Sequence, residues 1–217
     1  MIRLGLTQRV EVIEDYGERR DCLDQAWTTL LESEDFQPVP LPNQIKKVNR
    51  YLESLELDGI ILTSGNDLAS LDNPANPAPE RDRFEEAIIE YALENRVPLL
   101  GVCRGLEFLT VSFGGSLSAI DGHVAEDHQI TVESSETPFS GLTFPEQATV
   151  NSYHDFGIKA GDVPAGLVIL GRAADGTVEC VAHELHPILG IMWHPERESP
   201  SEDLDQQILN AVFQDQV

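Results

Sequence analysis

Hydrophobic and polar positions in the first half of the chain alternate between strand-like and helix-like patterns. Residues 2–7 and 58–63 predict strands, and the apolar run 97–102 predicts a strand buried on both faces. Residues 18–33 and 80–95 predict helices, because apolar residues recur there at helical spacing. The apolar faces comprise Leu23, Trp27, Leu30 and Leu31 in the first helix, and Phe84, Ala87, Ile88, Tyr91 and Ala92 in the second. This alternation predicts βαβ units and a mostly parallel sheet.

The second half of the chain has shorter, strand-rich patterns. Residues 166–184 predict a hairpin that turns at Asp175-Gly176. Residues 188–194 predict another strand, and 201–213 predict a closing helix. No repeat or linker divides the chain, so we expect one domain over residues 1–217. The expected fold class is α/β, a three-layer sandwich whose mostly parallel central sheet has an antiparallel extension.

The strongest chemical signal is Gly101-Val102-Cys103-Arg104-Gly105, where the buried strand is expected to pass into a helix. Glycine-x-nucleophile-x-glycine is the nucleophile-elbow pattern, in which glycines let strand and helix pack closely around a strained nucleophile. The dipole of the following helix is expected to lower the pKa of the Cys103 thiol and favour the thiolate. The Arg104 amide is expected to point at a developing oxyanion. The alternative is that Cys103 is a small core residue.

Two further segments supply partners for a cysteine nucleophile. His194 ends the predicted strand 188–194 and is suited to act as a general base, and Glu196 is near enough in sequence to orient its imidazole. Taken alone, His194 would instead be a capping or surface residue. The turn Thr63-Ser64-Gly65-Asn66-Asp67 can aim a second amide, from Gly65 or Asn66, at the oxyanion. The alternative is a plain turn before a capped helix.

Together these segments resemble the class I glutamine amidotransferase superfamily. Within it the chain is similar to the γ-glutamyl hydrolase branch, which includes γ-glutamyl-γ-aminobutyrate hydrolase-like proteins, because Asn151-Ser152-Tyr153-His154 matches the Asn-Ser-x-His of that branch. A narrower resemblance, to hydrolases of γ-glutamyl-CDP-amidate, rests on Glu107 and on segments 5–9, 18–21 (ahead of Trp27), 64–67 and 121–125. The similarity extends from the first predicted strand to the last helix.

The resemblance implies a reaction and a set of roles. Cys103 would attack the γ-carboxamide carbon, His194 would carry the proton to the leaving nitrogen, and Glu196 would orient His194. The amides of Gly65 or Asn66, with that of Arg104, would form the oxyanion hole. The residues expected to bind the small-molecule γ-glutamyl substrate are Glu107, Asn151, Ser152, Tyr153, His154, Arg9 and His123.

Glu107 departs from the superfamily pattern, since many amidotransferases have glutamine four residues after the nucleophile. A carboxylate there would bind the α-ammonium of a glutamyl group, but a preference for free glutamine does not follow. The alternative is a solvated helix residue. For Arg9, Arg19 and Arg20 two interpretations stand equal, a site for a diphosphate-bearing leaving group and ordinary ion pairing.

Other functions stay open at this stage. Glutaminase domains commonly supply ammonia to a separate synthetase, whereas this chain has no Walker A motif of its own. We therefore favour a stand-alone hydrolase, with a synthetase partner, a homodimer and a non-catalytic binding relative as alternatives.

The remaining histidines and cysteines are expected to lie on the surface, in loops or in the core, without a catalytic role. Asp121, His123, Asp127 and His128 permit a metal site, but five-residue histidine spacing in a loop favours a substrate-covering loop or plain surface. Cysteine chemistry needs no metal, so no metal and no cofactor are predicted. His183 and His186 are expected to be solvated, and Cys22 and Cys180 to lie in the core.

Charge and composition restrict the partners and the cellular compartment expected for this protein. With 38 acidic and 14 basic residues the formal net charge is −24, spread along the chain, so the surface is expected to repel nucleic acid and anionic membranes. Three cysteines without paired spacing favour a reducing compartment, and the first residues lack a signal-peptide pattern, so we expect a cytosolic protein. An ordinary acidic protein and a halophile's protein both fit, and we favour the second.

The net charge generates a prediction about salt. At about 1 M salt the Debye length is only about 3 Å, so self-repulsion that destabilises the fold in dilute buffer is largely screened. We expect the chain to lose structure on desalting, measured as a fall in melting temperature between molar and dilute KCl. An unchanged melting temperature would contradict the halophilic interpretation.

Overall fold

Strands and helices alternate through the first half of the computed structural model, which describes residues 1–133, 139 and 142–214. The strands are β1 Ile2–Thr7, β2 Arg9–Ile13, β3 Glu18–Cys22, β4 Phe36–Leu41, β5 Gly59–Leu62, β6 Leu99–Val102, β7 Ser118–Ala119, β8 Val124–Val132, β9 Gln147–Tyr153, β10 Phe156–Gly157, β11 Leu167–Ala173, β12 Val178–His183 and β13 Ile188–Ile191. The helices are α1 Gln25–Ser33, α2 Val48–Leu55, α3 Pro79–Asn95, α4 Arg104–Ser112 and α5 Glu202–Phe213. Within these described ranges, no helix is both long and apolar enough to cross a bilayer.

A nine-stranded sheet has the order β4-β1-β5-β6-β13-β12-β11-β8-β9. The first five strands in that order are mutually parallel, and the last four continue the sheet antiparallel. The α/β fold class and the antiparallel extension are therefore confirmed. Ile191 of β13 pairs with Val102 of β6, so the chain leaves both strands at the same edge of the sheet.

Helices cover both faces of the parallel part of the sheet. On β5, Ile60 and Leu62 face a core that includes residues of α2, α3 and α4. Ile61, between them, belongs to the opposite core, which includes Trp27 of α1 and Ile208 of α5. Because alternate residues of a strand point to opposite faces, this arrangement requires fully apolar central strands and confirms the three-layer sandwich.

The predicted first helix, residues 18–33, is correct only from residue 25. Residues 18–22 instead form β3, which pairs with β2 in a hairpin whose turn contains Gly17 at φ 66°. The Asp24 side chain accepts a hydrogen bond from the Ala26 amide and caps α1. Helical spacing alone did not reveal that the helix begins at this cap, although Trp27 and Leu31 are buried as predicted.

Two other expectations about buried residues are wrong. Cys22 lies half-buried at the end of β3, whereas Cys180 is buried as predicted. His183, expected in solvent, is buried, and its Nδ1 accepts hydrogen bonds from the amides of Leu185 and His186. The reason is that β12 lies inside the sheet and is buried on both faces.

The strand-to-helix junction generates a prediction about Gly105. A Cβ at this position would lie 2.2 Å from the carbonyl oxygen of Leu62, which is backbone and cannot move aside. We expect Gly105→Ala to lower the free energy of unfolding by about 3 kcal/mol, despite the better helix propensity of alanine. Chemical denaturation in molar KCl measures this. Gly161→Ala is the control, because a Cβ at 161 meets no atom of the described residues within 4 Å. Equal stability of both variants would contradict the packing argument.

Candidate active site

Cys103 occupies the tight turn between β6 and α4. Its backbone has φ 52° and ψ −107°, a left-handed conformation that side-chain-bearing residues rarely adopt. The Cys103 amide donates to the Ile191 carbonyl at 2.8 Å, and the Cys103 carbonyl accepts from the Glu107 amide at 3.1 Å as α4 begins. A Cβ at Gly101 would lie 2.7 Å from the Gly105 carbonyl carbon. Both flanking glycines are thus required by close backbone packing, as the elbow pattern predicts.

His194 follows β13 at the same edge of the sheet. Its Nδ1 lies 2.9 Å from Glu196 Oε1, and both side chains are buried. The Asn151 side chain holds the backbone of His194, accepting from its amide at 2.8 Å and donating to its carbonyl at 2.9 Å. His194 Nε2 is buried without a hydrogen-bond partner among the described residues. The ring is therefore fixed through one nitrogen while the other stays available.

The turn after β5 carries two residues with positive φ, Gly65 at 97° and Asn66 at 35°. The Asn66 side chain holds this turn against β2, accepting from the Val10 amide at 2.7 Å and donating to the Val10 carbonyl at 2.9 Å. Asn66 also donates to the Asn76 carbonyl. The backbone of the predicted oxyanion turn is thus locked by a side chain of the turn itself.

The sequence patterns did not predict a buried ion-pair network beneath the elbow. Arg104 pairs with Glu85 and Asp82, and Arg81 pairs with Glu85 at 2.8 Å. Arg81 also donates to the carbonyls of Thr63 and Ser64. The network joins α3, α4 and the turn after β5. Its sequence signal was the position of Arg81 and Glu85 on the apolar stripe of α3, beside Phe84 and Ile88.

A polar cavity of about 250 Å³ lies above these elements. It brings together the predicted site residues Arg9, Gly65, Asn66, Cys103, Arg104, Glu107, Tyr153 and His154, with Asp67, Leu71, Asn76, Asp155 and Phe156. The Tyr153 ring also packs edge-on against the His194 ring at 5.5 Å.

Five predicted site residues are not among the described residues that line this cavity. Two of them are His194 and Glu196, whose contacts with each other are given above. The other three are Asn151, Ser152 and His123. Asn151 serves the backbone of His194, as described above. Ser152 is buried and donates to the His123 carbonyl at 2.7 Å. His123 itself is buried and lies 3.1 Å from Asp175, and so is not part of a substrate-covering surface. These three side chains thus have structural partners.

The electrostatics of the cavity differ from the expected thiolate. Burial, and then the neighbouring Glu107, raise the pKa of the Cys103 thiol well above its usual value, although the Arg104 amide acts in the opposite direction. Desolvation of the thiolate therefore outweighs the hydrogen bond from the Arg104 amide, and the thiol form of Cys103 is favoured. Burial likewise raises the pKa of Glu107 to about 8, with Arg104 opposing and Asp155 and Asp67 reinforcing the shift. Glu107 is buried, so its interpretation as a solvated residue is wrong.

Among the three arginines considered for a diphosphate, Arg9 is the one that lines the cavity. It pairs with Glu11, while Arg19 pairs with Glu80 at 2.6 Å and Arg20 with Glu18 at 2.6 Å. All three arginine side chains are more than 40% exposed, at 43%, 43% and 49%, so these pairs contribute little to stability.

Comparisons with known proteins give consistent results. The family model described as Peptidase C26 matches residues 4–196. The chain is 34% identical to γ-glutamyl-CDP-amidate hydrolase of Campylobacter jejuni subsp. jejuni serotype O:2, over 97% of this chain and 96% of that one. It is also 34% identical to γ-glutamyl-γ-aminobutyrate hydrolase PuuD of Escherichia coli strain K12, over 84% of this chain and 82% of that one.

Solved structures share the fold. A glutamine amidotransferase from Thermotoga maritima superposes with a TM-score of 0.67 at 18% identity, covering 90% of this chain and 76% of that one. A putative GMP synthase component from Thermoplasma acidophilum gives a TM-score of 0.69 at 21% identity, covering 98% and 92%.

The raised pKa of Glu107 generates a prediction about stability. Its folded-state pKa of about 8 exceeds its unfolded value of 4.5, so between these pH values the folded chain holds a proton that the unfolded chain releases. Its contribution to stability is therefore lost as pH rises towards 8. Glutamine cannot ionise, so the stability advantage of Glu107→Gln over wild type should grow by on the order of 2 kcal/mol from pH 5 to pH 8.

Denaturant unfolding at several pH values in molar KCl measures this difference. The control is Glu86→Gln, on the exposed side of α3, which should show no such growth. A constant difference between Glu107→Gln and wild type would show that Glu107 ionises normally.

Proposed function

The chain belongs to the Peptidase C26 family, and from that premise we propose that it hydrolyses a γ-glutamyl amide bond with Cys103 as the nucleophile. Its relatives include hydrolases of γ-glutamyl compounds, and it acts on C–N amide bonds. The observation that supports the cysteine mechanism best is the environment of the two nitrogens of the His194 ring. Glu196 binds one nitrogen, and the other is buried and, among the described residues, unpartnered at the sheet edge where Cys103 lies.

In the proposed reaction, His194 Nε2 takes the proton of the Cys103 thiol as Sγ bonds to the γ-carbonyl carbon. Proton transfer during the attack, and not before it, suits a cysteine whose raised pKa favours the thiol. The negative charge on the carbonyl oxygen is met by the amide of Arg104 and that of Gly65 or Asn66. His194 then protonates the leaving nitrogen as the C–N bond breaks and a γ-glutamyl thioester remains. Water, deprotonated by His194, hydrolyses the thioester and releases glutamate.

Glu107 is proposed to bind the amino-acid end of the glutamyl group. It is buried in the cavity wall one turn after Cys103, and its raised pKa makes it neutral over much of the physiological range. A neutral carboxyl group offers a donor and an acceptor, like the glutamine of many amidotransferases. When the α-ammonium of a substrate approaches, it favours the charged form and turns this contact into an ion pair.

The leaving group is proposed to carry phosphate, as in γ-glutamyl-CDP-amidate. The relative from C. jejuni that bears this activity in its name supports the proposal, and so does Arg9 in the cavity wall. The exposed pair between Arg9 and Glu11 is weak enough to be exchanged for a diphosphate. Arg19 and Arg20 lie outside the cavity lining and are not assigned to the substrate.

Glutamate release from a panel of γ-glutamyl amides, glutamine included, tests the proposal. In molar KCl we expect rapid release from a substituted amide, poor release from glutamine, and a loss of about 10⁴-fold or more in Cys103→Ser. Cys22→Ser, on the half-buried β3 cysteine, is the matched control and should keep full activity.

The outcomes separate the alternatives. Release from glutamine alone would favour a glutaminase that supplies ammonia to a separate synthetase. No release from any substrate would favour a non-catalytic relative.

Arg9→Gln should raise KM for a phosphate-bearing substrate about tenfold and leave KM for other substrates unchanged, while Arg20→Gln should change neither. Equal effects of Arg9→Gln on all substrates would refute the phosphate assignment.

A further inference from the structure

A second buried polar cluster is formed by residues of β8 and β12 and by residues that flank β8 and β9. It contains His123, His128, His154 and Glu179. His123 is 5% exposed, His154 4% and Glu179 0%, whereas His128 is partly exposed. His123 and His128 belong to the segment that the sequence analysis considered for a metal site. Their partners are not Asp121 and Asp127 of that segment but His154 and Glu179, which are distant in sequence. The proposed reaction uses none of the cluster's inward-facing atoms.

The four side chains converge on the carboxylate of Glu179. Its Oε2 lies 3.4 Å from His128 Nε2, and its Oε1 lies 3.5 Å from His123 Nδ1 and 3.6 Å from His154 Nε2. None of these five atoms has a hydrogen-bond partner in the part of the chain that the structure describes. Buried polar atoms are rarely left in this condition, because the loss of water is then uncompensated.

The outer contacts of two rings determine what their inner nitrogens present. His154 Nδ1 lies 2.8 Å from the Phe156 carbonyl and must donate to it, so the neutral ring directs a lone pair from Nε2 at Glu179. His123 Nε2 lies 3.1 Å from Asp175 Oδ2, which leaves a lone pair on Nδ1 in the same way. A lone pair facing a carboxylate repels it unless a proton or a metal ion lies between them. A carboxylate or carbonyl behind each ring is also the usual outer shell of metal-ligating histidines.

The spacing has the dimensions of a metal site. With metal–nitrogen and metal–oxygen bonds of about 2.0–2.1 Å, neighbouring ligand atoms at tetrahedral angles lie about 3.4 Å apart. The contacts of Glu179 Oε1 with His123 and His154, at 3.5 and 3.6 Å, are close to this edge, and His128 lies 3.4 Å from the other oxygen, Oε2. All three distances are long for hydrogen bonds. The ligand atoms of His123, His128 and Glu179 all lie within 4.8 Å of one another. A proton on His128 would satisfy only one of the three contacts, whereas one cation can be shared by His123, His128 and Glu179, with His154 beside them.

We propose that His123, His128, His154 and Glu179 bind a divalent transition-metal ion, with Zn²⁺ the ion that this imidazole and carboxylate set favours. The ion joins β12 to β8 and to the residue after β9. His154 lines the cavity above Cys103 and follows Tyr153, so the ion positions one wall of that cavity. Its role is structural, and no step of the proposed reaction passes through it.

Metal content tests this proposal independently of the proposed function. After growth with zinc and dialysis in molar KCl, elemental analysis of the full chain should find about one Zn²⁺ per chain. The same value is expected for Cys103→Ser, which has no nucleophile. Glu179→Gln and His128→Ala should each lower the content at least tenfold, whereas His186→Ala, outside the cluster, should retain the ion.

Cobalt gives a second readout, which on wild type does not depend on the variants folding. Wild type reconstituted with Co²⁺ should show the intense visible bands of a tetrahedral site, and Asp175→Asn should weaken the affinity about tenfold by loosening His123. Folded wild type that takes up neither Zn²⁺ nor Co²⁺ would overturn the proposal. Equal metal uptake by His128→Ala and wild type would overturn the ligand assignment.

Discussion

The left-handed backbone of Cys103 is the constraint around which the candidate site is arranged. A residue with a side chain at φ 52° costs about 1–3 kcal/mol and persists only where its surroundings enforce it. Here they are the hydrogen bond to Ile191 and the approach of Gly101 to Gly105, within contact distances that allow no Cβ. Because β6 and β13 are parallel and in register, the same turn brings Cys103 to the edge from which His194 projects.

The buried charges beneath this turn show how the surrounding elements are held. Removing an ion from water costs several kcal/mol, and each charge in the network recovers part of this through a partner. Glu85 lies between Arg81 and Arg104, and Arg81 also binds the carbonyls of Thr63 and Ser64. Two of the 14 basic residues of a chain with net charge −24 are thus used to join α3, α4 and the turn after β5. Their role is geometric and not a balancing of surface charge.

The end of β9 connects the two polar centres of the molecule. Asn151 holds the backbone of His194, and Tyr153 packs on the His194 ring. His154 lines the cavity and also directs Nε2 towards Glu179. Since alternate residues of a strand point to opposite sides, one short segment serves the candidate catalytic pair, the cavity wall and the proposed metal cluster. A shift of this segment would therefore change the positions of the catalytic pair, the cavity wall and the metal cluster together.

Sequence by itself determined the α/β class, the central strands and the elbow, because apolar periodicity and glycine spacing are local signals that the fold follows directly. It failed at residues 18–22, where pairing with β2 outweighed helical spacing, and at Cys103, whose pKa depends on burial and not on the helix dipole alone. The tertiary structure alone decided that Arg81 and Glu85 lie beneath the elbow and that Glu179 meets three histidines. Such groupings depend on sheet order and register, which bring together residues more than 50 positions apart, as with His123 and Asp175, and no local pattern encodes them.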